Sequence, residues 1–265
     1  MSAAKLLKKR EHNMSTGIKN RKVRTINIYG MILLFMFIHP INLFSSATDP
    51  KTDGKWIIVI DPGHGGKDSG ALGSISKEKN INLAIALKTA KYIRENIKGV
   101  NVVLTRDDDS TVDLIERPKI ANRNNADLFI SIHSNWAKSK NVMGAETWIM
   151  GLASSEENLE VAMKENEVIY LEDDYSTKYQ GFDPKSPESY IIFTLTQNVY
   201  QKQSTDLASK VQTQFVEKVD RKDRGVKQAG FWVLYRTAMP SILIEPGVIT
   251  NPDEEKYLNS EAGQD

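Results

Sequence analysis

Two histidines and two glutamates stand where the sequence could support hydrolysis assisted by a metal ion. His64 and His133 each follow a short apolar run, Glu245 ends a third such run, and Glu78 comes shortly after His64. Zinc hydrolases commonly hold the ion with three side chains drawn from histidine and carboxylate, and they leave a fourth position for water. We therefore expect His64, Glu78 and His133 to bind zinc.

Glu245 is the candidate for the proton transfers that amide hydrolysis requires. A base must take a proton from the attacking water and an acid must then protonate the leaving amine, and one carboxylate can do both. Each candidate also has a simpler structural interpretation. In this interpretation none of them takes part in catalysis. His64 caps a loop, Glu78 interacts with the dipole of the helix that it begins, and Glu245 accepts hydrogen bonds from loop amides.

The strands that precede these residues must bring them together. Apolar runs rich in β-branched residues predict buried strands, and the glycines after Pro62 forbid continuation of the first one. Because parallel strands place their carboxyl ends at one edge of a sheet, His64 and His133 are expected to converge there. In chain order the sequence predicts strands at 56–60, 102–105, 128–132, 146–150 and 241–244, and helices at 78–97, 114–124 and 188–219.

Strands that alternate with helices predict the fold class. We expect a three-layer α/β domain in which a mixed sheet of about six strands is flanked by helices. The helix that contains Glu78 has Ser76 as its expected N-cap. With 40% hydrophobic and 26% charged residues, the 265-residue chain has the composition of an ordinary globular protein with one core.

The first 47 residues differ in composition from the rest of the chain. They hold eight basic residues and one acidic residue, whereas the whole chain carries a formal charge of +1, so the remainder is mildly acidic. No basic stripe remains to bind nucleic acid, and a DNA or RNA partner is therefore excluded. The apolar run 28–38 is followed by small residues that end at Ala47, a pattern typical of a secretory signal.

This leader, residues 1–47, is predicted to be a signal peptide, or a signal anchor if it stays uncleaved and its apolar run continues through Leu43. Translation could start at Met1 or at Met14, and membrane contact is expected only through an uncleaved leader.

Residues 48–55 are a polar linker to the folded domain. We expect an exported protein of the periplasm or cell envelope. The chain has no cysteine, which excludes a lipoprotein anchor and a disulfide framework.

Four ordered segments resemble the zinc-dependent N-acetylmuramoyl-L-alanine amidase family of cell-wall hydrolases, in particular the cell-division type. The resemblance covers the chain from about Trp56 to its end, and four motifs in order are far more specific than any one alone. The segments are 61–66 (Asp-Pro-Gly-His-Gly-Gly), 77–79 (Lys-Glu-Lys), 131–135 (Ser-Ile-His-Ser-Asn) and 244–252 (Ile-Glu-Pro-Gly-Val-Ile-Thr-Asn-Pro).

The resemblance implies a site and a substrate. It implies that His64, Glu78 and His133 hold one Zn²⁺ and that Glu245 is the catalytic carboxylate. The bond cut would be the amide between N-acetylmuramic acid and L-alanine of the stem peptide in peptidoglycan. Two alternatives stay open, namely a zinc peptidase that cuts within the stem peptide and an inactive peptidoglycan-binding or regulatory protein.

The chain departs from the family pattern in two places. Pro246 follows Glu245 and removes a backbone amide donor, but it leaves the carboxylate intact, so activity is expected to survive. Family members also continue past Gln264 into a further helix, whereas this sequence stops at Asp265. Either the sequence is truncated, or the domain lacks a helix that would cover an apolar face of the sheet.

Within the catalytic domain, residues 56–265, an acidic stretch interrupts the strand-and-helix pattern. Similar amidases of the cell-division type carry an insertion here that covers the zinc cleft and is displaced by an activator protein. The resemblance implies that residues 154–187 form such a regulatory lid, with one acidic side chain able to reach the metal. The alternative is an acidic helix on the solvated surface.

Several further polar residues fall near the predicted site. Arg106, Asn135 and Glu146 are candidates to contact substrate or to orient the residues that bind the metal. Arg117 and Asn122 stand where the family tends to carry polar residues. Arg106, Arg117 and Asn122 could equally tie a helix to a strand.

Overall fold

The computed structural model describes residues 54–194 and 199–265, so the predicted leader and nearly all of the linker lie outside the described residues. A mixed six-stranded sheet has the order β2-β1-β3-β6-β4-β5. Strands β2, β1, β3 and β6 run parallel, β4 runs antiparallel to β6, and β5 runs parallel to β4. The strands are β1 (Trp56–Pro62), β2 (Val100–Leu104), β3 (Leu128–Ile132), β4 (Ala145–Met150), β5 (Asp223–Ala229) and β6 (Ser241–Glu245).

Helices flank both faces of this sheet, which confirms the predicted three-layer α/β class. Two 3₁₀ helices, Glu167–Leu171 and Pro187–Thr194, accompany the α-helices. The α-helices are α1 (Glu78–Asn96), α2 (Glu116–Arg123), α3 (Glu156–Asn166), α4 (Tyr175–Lys178), α5 (Gln201–Glu217), α6 (Trp232–Tyr235), α7 (Pro252–Leu258) and α8 (Glu261–Gln264).

Side chains alternate between the two faces of the strands and build two hydrophobic layers. On one face, Ile60 and Ile132 pack against alanines of α1, and Ile242 packs against Ala208 of α5. On the other face, Phe129 and Trp148 join a larger cluster that includes residues of α2, α6 and the 154–194 region. Both faces of the sheet are therefore covered, which is why its central strands read as continuous apolar runs.

The sheet register sets the position of the candidate residues. Pro62 pairs with Ile132, and Ile132 pairs with Ile244. The residues that follow these strands, including His133, consequently reach the same edge of the sheet. Strand β4 places Glu146 directly opposite Glu245.

Two local predictions are wrong. Ser76 does not cap α1, because Lys77 occupies the N-cap position without a side-chain hydrogen bond, and the Ser76 hydroxyl instead donates to Glu255 at 2.8 Å. The predicted helix at 188–219 is not continuous either. Its first part is the 3₁₀ helix Pro187–Thr194, and α5 begins only at Gln201.

The stretch predicted as an insertion, residues 154–187, is built into the larger hydrophobic cluster. Ala162, Ile169, Tyr179 and Phe182 are buried there with Trp232 of α6. The stretch is therefore more than an acidic surface helix, although α3 does expose several glutamates. The prediction that a helix is missing after Asp265 stays a prediction.

Within residues 54–194 and 199–265, the structure contains no helix that combines the length and apolar character needed to cross a bilayer.

Candidate active site

His64 lies in a tight turn immediately after β1. Its backbone has a φ of 61°, in the left-handed region, and Gly65 and Asp68 close the turn through paired backbone hydrogen bonds. The His64 Nδ1–H group donates to Asp68 Oδ2 at 2.7 Å. This bond fixes the ring so that Nε2 faces the interior of the site, as a carboxylate partner does for many histidines that bind metal.

Two buried arginines hold the backbone of this turn. Arg117 donates to Asp61 Oδ1, to the Pro62 carbonyl and to the His64 carbonyl, each at 2.8 Å. Arg106 donates to the Gly63 carbonyl at 2.8 Å, and burial together with the nearby Arg117 lowers the pKa of Arg106 to about 10. The turn is thus rigid because charged donors satisfy its carbonyl groups.

Glu78, the first residue of α1, is held by three hydrogen bonds. Its Oε1 accepts from the Ser134 amide at 3.0 Å and from Asn82 Nδ2 at 3.1 Å, and its Oε2 accepts from the Ala71 amide at 2.8 Å. The carboxylate is 1% exposed. These bonds orient its two oxygens toward the two histidines.

Four buried side chains converge between the turn, α1, β3 and α3. His64 Nε2 lies 3.1 Å from Glu78 Oε2 and 3.3 Å from Glu165 Oε2. His133 Nδ1 lies 3.2 Å from Glu78 Oε1 and 2.7 Å from Glu165 Oε2. One nitrogen or oxygen of each residue lies within 4.8 Å of those of the other three.

The donor atoms of this cluster fit a metal ion. His64 Nε2, His133 Nδ1 and Glu165 Oε2 are buried and close together, yet none of them makes a hydrogen bond. Buried polar atoms without partners are costly, and atoms that aim at a common point rather than at each other suit coordination. Two imidazoles with carboxylates are the donor set that zinc prefers.

Mutual attraction keeps these groups charged despite their burial. Burial lowers the pKa of His133, but the Glu165 carboxylate more than offsets this effect and raises the pKa to about 9. Burial raises the pKa of Glu78, yet His64 and His133 shift it well below its ordinary value. The two carboxylates therefore favour positive charge at the centre of the cluster, and a metal ion would supply that charge while the imidazoles give up their protons.

Glu245, the last residue of β6, differs from these carboxylates. It is fully buried, and neither of its side-chain oxygens makes a hydrogen bond. Burial and the nearby Glu165 and Glu78 raise its pKa well above the ordinary value. A carboxyl group with a raised pKa can both accept and return a proton near neutral pH. Pro246 fits beside it, and its carbonyl accepts hydrogen bonds from Arg221.

Glycine is required where the backbone approaches the site. A Cβ on Gly63 would lie 2.5 Å from Cε1 of His133, and a Cβ on Gly70 would lie 2.6 Å from Cδ2 of His64. Gly70 also has a φ of +62°. The glycine-rich sequence around His64 therefore makes room for the two rings.

We expect Gly63→Ala to weaken zinc binding by roughly 10- to 100-fold, in the range seen when support around a ligand is disturbed. The added methyl group must displace the His133 ring, while the Gly63 backbone itself tolerates alanine. Zinc affinity measured against a competing chelator checks this expectation. Lys91→Ala, at an exposed position of α1, is the control. Equal zinc affinity of both variants would contradict the argument.

Comparison with known proteins identifies the family to which this site belongs. The profile described as N-acetylmuramoyl-L-alanine amidase matches residues 58–265. The chain belongs to the N-acetylmuramoyl-L-alanine amidase family. Membership confirms the predicted family and the prediction of an amide-hydrolysing enzyme.

Individual relatives agree with this assignment. The N-acetylmuramoyl-L-alanine amidase AmiA of Escherichia coli K12 is 33% identical over 222 residues, which cover 83% of this chain and 75% of AmiA. The uncharacterized protein YqiI of Bacillus subtilis is 34% identical over 83% of this chain and 82% of YqiI.

Solved amidase structures share the fold. An N-acetylmuramoyl-L-alanine amidase of Clostridium difficile 630 superposes with a TM-score of 0.59 at 31% identity, over 80% of this chain and 90% of that one. The CwlD amidase of Clostridioides difficile, solved in complex with the GerS lipoprotein, gives a TM-score of 0.57 at 27% identity, over 80% and 91% of the two chains.

The structure of this amidase brings the main predicted residues together. His64, Glu78 and His133 share one cluster, and Glu245 lies in the electrostatic field of Glu78. Glu165 is the residue that sequence reasoning did not single out. An acidic side chain from 154–187 was expected to reach the metal, but the nine acidic residues of that segment gave no signal that could select one.

The supporting residues of the amidase divide into two groups. Arg106 and Arg117 tie the His64 turn to the adjacent elements, and Asn122 accepts from the Ala238 amide and donates to the Arg236 carbonyl. These contacts match the structural interpretation. Asn135 and Glu146 are different, since both are buried beside the cluster and hydrogen-bond to each other.

Proposed function

We propose that this chain hydrolyses the amide bond between N-acetylmuramic acid and L-alanine of the peptidoglycan stem peptide, using one zinc ion. The observation that carries the proposal is the set of buried, unpartnered donor atoms of His64, His133 and Glu165 beside an unpartnered Glu245. Family membership and relatives named for this reaction support the choice of substrate.

His64, Glu78 and His133 would hold the ion. When bound, Zn²⁺ polarises a carbonyl group and lowers the pKa of water toward neutrality. Glu245 accepts the proton of the attacking water and later gives a proton to the leaving amine. Asp68 keeps the His64 ring in the required orientation, and the Ser134 and Ala71 amides do the same for Glu78.

Product analysis tests this proposal. Peptidoglycan is incubated with the zinc-loaded protein, and the released fragments are identified by mass spectrometry, with a chelated sample as control. Free peptides that begin with L-alanine are the expected products. Fragments cut within the stem would show a zinc peptidase, and binding without products, also after Glu165 is replaced, would show a binding or regulatory protein.

We also propose that residues 154–187 form a lid that limits access to the zinc. Glu165 at the end of α3 contacts both histidines and so occupies the position that water or substrate needs. Asn166 anchors the lid beside it, since it donates to the Gly230 carbonyl at 2.8 Å and accepts from the Trp232 amide at 3.0 Å. A protein activator that displaces the lid would expose the site.

Glu165→Ala is expected to raise basal hydrolysis of purified peptidoglycan, by on the order of tenfold if one coordinating contact is lost. The substitution tests the lid more specifically than removal of residues 154–187 does, because that deletion would also remove core residues such as Tyr179 and Phe182. Glu156→Gln, on an exposed position of the same helix, is the matched control. Unchanged or reduced hydrolysis in Glu165→Ala, with zinc still bound, would refute the lid.

The location of the protein completes the proposal. We infer export to the periplasm or cell envelope from the basic and apolar leader, residues 1–47, because peptidoglycan lies outside the cytoplasmic membrane. The linker and the catalytic domain, residues 56–265, would follow the leader, whether or not it is cleaved.

A further inference from the structure

A cavity of about 190 Å³ opens beside the metal cluster, between α3 and the loop after β3. Glu165 lines its inner end, and Asn135 and Trp136 form part of its wall. A second cavity, lined by His64 and Glu78, lies on the other side of Glu165. Lys164 and Glu165 line both cavities, so the two adjoin at the end of α3.

Arg224 of β5 and Lys138 of the loop after β3 are cations that line this first cavity from outside the lid, and Arg224 is the one fixed by a buried partner. Its Nε group donates to the buried carboxylate of Glu146 at 2.8 Å, and Lys227 donates to the same oxygen at 2.7 Å. Glu146 is fully buried, so it holds the guanidinium in one place. An arginine fixed along one edge can use its remaining N–H groups to bind a carboxylate.

A carboxylate from the lid already faces those groups. Arg224 Nη2 lies 3.5 Å from Glu157 Oε1 on α3, and the Arg224 side chain is 19% exposed. Lys138 pairs in the same way with Glu160 of α3 at 2.9 Å. Helix α3 therefore places one acidic group at the metal cluster and two more on cations along the same cavity.

We propose that Arg224 binds a free carboxylate of the stem peptide, in the place that Glu157 takes while the lid is closed. The inference rests on the proposed function, since it assumes that the scissile amide lies at the metal cluster. Substrate would then enter with its peptide along the cavity, and α3 would imitate an acidic peptide. Arg224 would make the enzyme prefer stem peptides with a free carboxylate over amidated ones.

Two synthetic substrates that differ at a single group test this. Both are N-acetylmuramoyl-L-alanyl-D-glutamate derivatives whose γ-carboxyl group is blocked as an N-methylamide. The acidic compound keeps the free α-carboxylate, and the other compound carries an amide in its place. The zinc-loaded protein is expected to show a kcat/KM about tenfold higher for the acidic compound, the worth of one hydrogen bond to a charged group. Arg224→Gln should abolish this preference by lowering the kcat/KM of the acidic compound alone.

Lys227→Gln is the matched control. Like Arg224→Gln, this variant loses a contact with Glu146, but Lys227 does not line the cavity. Its preference for the acidic compound should persist, even if both rates fall. Glu157→Gln should strengthen binding of the acidic compound. Equal rates for the two compounds in the unmodified protein, or an equal fall for both in Arg224→Gln, would overturn the inference.

A failure of the proposed function gives a different result. If neither compound is hydrolysed by the full chain or by Glu165→Ala, the amidase proposal fails. The same pair then decides the role of Arg224 through equilibrium binding measured by calorimetry, which needs no turnover. Loss of the preference in Arg224→Gln supports the site, and absence of any preference refutes it.

Discussion

Glu245→Gln is expected to reduce the rate of hydrolysis by about 10²- to 10⁴-fold while zinc binding and the fold persist. General acid–base catalysis by one side chain typically accelerates a reaction by that factor. Glutamine preserves the volume of the side chain but cannot take a proton from water. The residue lies at the end of β6, where its two oxygens have no hydrogen-bond partner. Rates of peptide release and the zinc content of the purified variant check the expectation.

The same substitution is expected to stabilise the metal-free protein near neutral pH. Burial and the carboxylates of Glu165 and Glu78 raise the pKa of Glu245, so its ionisation costs the folded state free energy. Below the unfolded pKa, near 4.5, the group is protonated in both states and this cost vanishes. The cost grows as the pH rises above the unfolded pKa and is complete once the pH has passed the folded pKa.

The advantage of Glu245→Gln over the unmodified protein should therefore be small near pH 4 and grow toward pH 8. Denaturant unfolding of both metal-free proteins across this range measures the difference, and effects of the other titrating groups largely cancel in the comparison. An advantage that shrinks as the pH rises would contradict this assignment. Retention of full hydrolysis would remove Glu245 from the mechanism.

Removal of zinc is expected to abolish hydrolysis and to lower the thermal stability of the domain. A ligand that binds only the folded state stabilises it by about 4 kcal/mol when its free concentration is a thousand times Kd. His64 Nε2 and His133 Nδ1 are buried and have no hydrogen-bond partner, which costs the folded state free energy. Coordination of a metal ion would give both nitrogens a partner and remove this cost. Thermal unfolding at increasing free zinc concentrations measures the effect.

Two variants distinguish a residue that binds the metal from a residue that only orients such a ligand. His133→Ala should eliminate the zinc-dependent rise in melting temperature, whereas Asp68→Asn should only shift it to higher zinc concentrations, by roughly 10- to 100-fold. Asp68 touches His64 Nδ1 rather than the centre of the cluster. A normal zinc response in His133→Ala would exclude this residue as a ligand.

The fold and the centre of the site could be predicted because strong local patterns encode them. The run before His64 and the run before His133 are short, apolar and β-branched, and the parallel-sheet rule then brings both residues to one edge. Glu78 and Glu245 were found for the same reason, since each stands at the junction of an element and a loop.

What the sequence did not reveal depends on tertiary packing. Strand β5 has the sequence Asp-Arg-Gly-Val-Lys-Gln-Ala, which lacks a regular apolar alternation, and it is a strand because β4 pairs with it. Residues 188–194 were predicted as part of a long helix, but they belong to a 3₁₀ helix in which Phe193 packs against Trp232 and Tyr190 packs against Phe182 and Phe193. Glu165 could be selected only once α3 was placed against the two histidines.

The aromatic cluster around Trp232 has a consequence for the evolution and engineering of this enzyme. Tyr179 and Phe182 from the lid pack on Trp232, which belongs to the body of the domain. Substitutions that tighten these contacts would raise heat resistance and at the same time hold the lid more firmly closed. If residues 154–187 act as the proposed lid, thermal tolerance and turnover are opposed in this family member, and selection for one is expected to reduce the other.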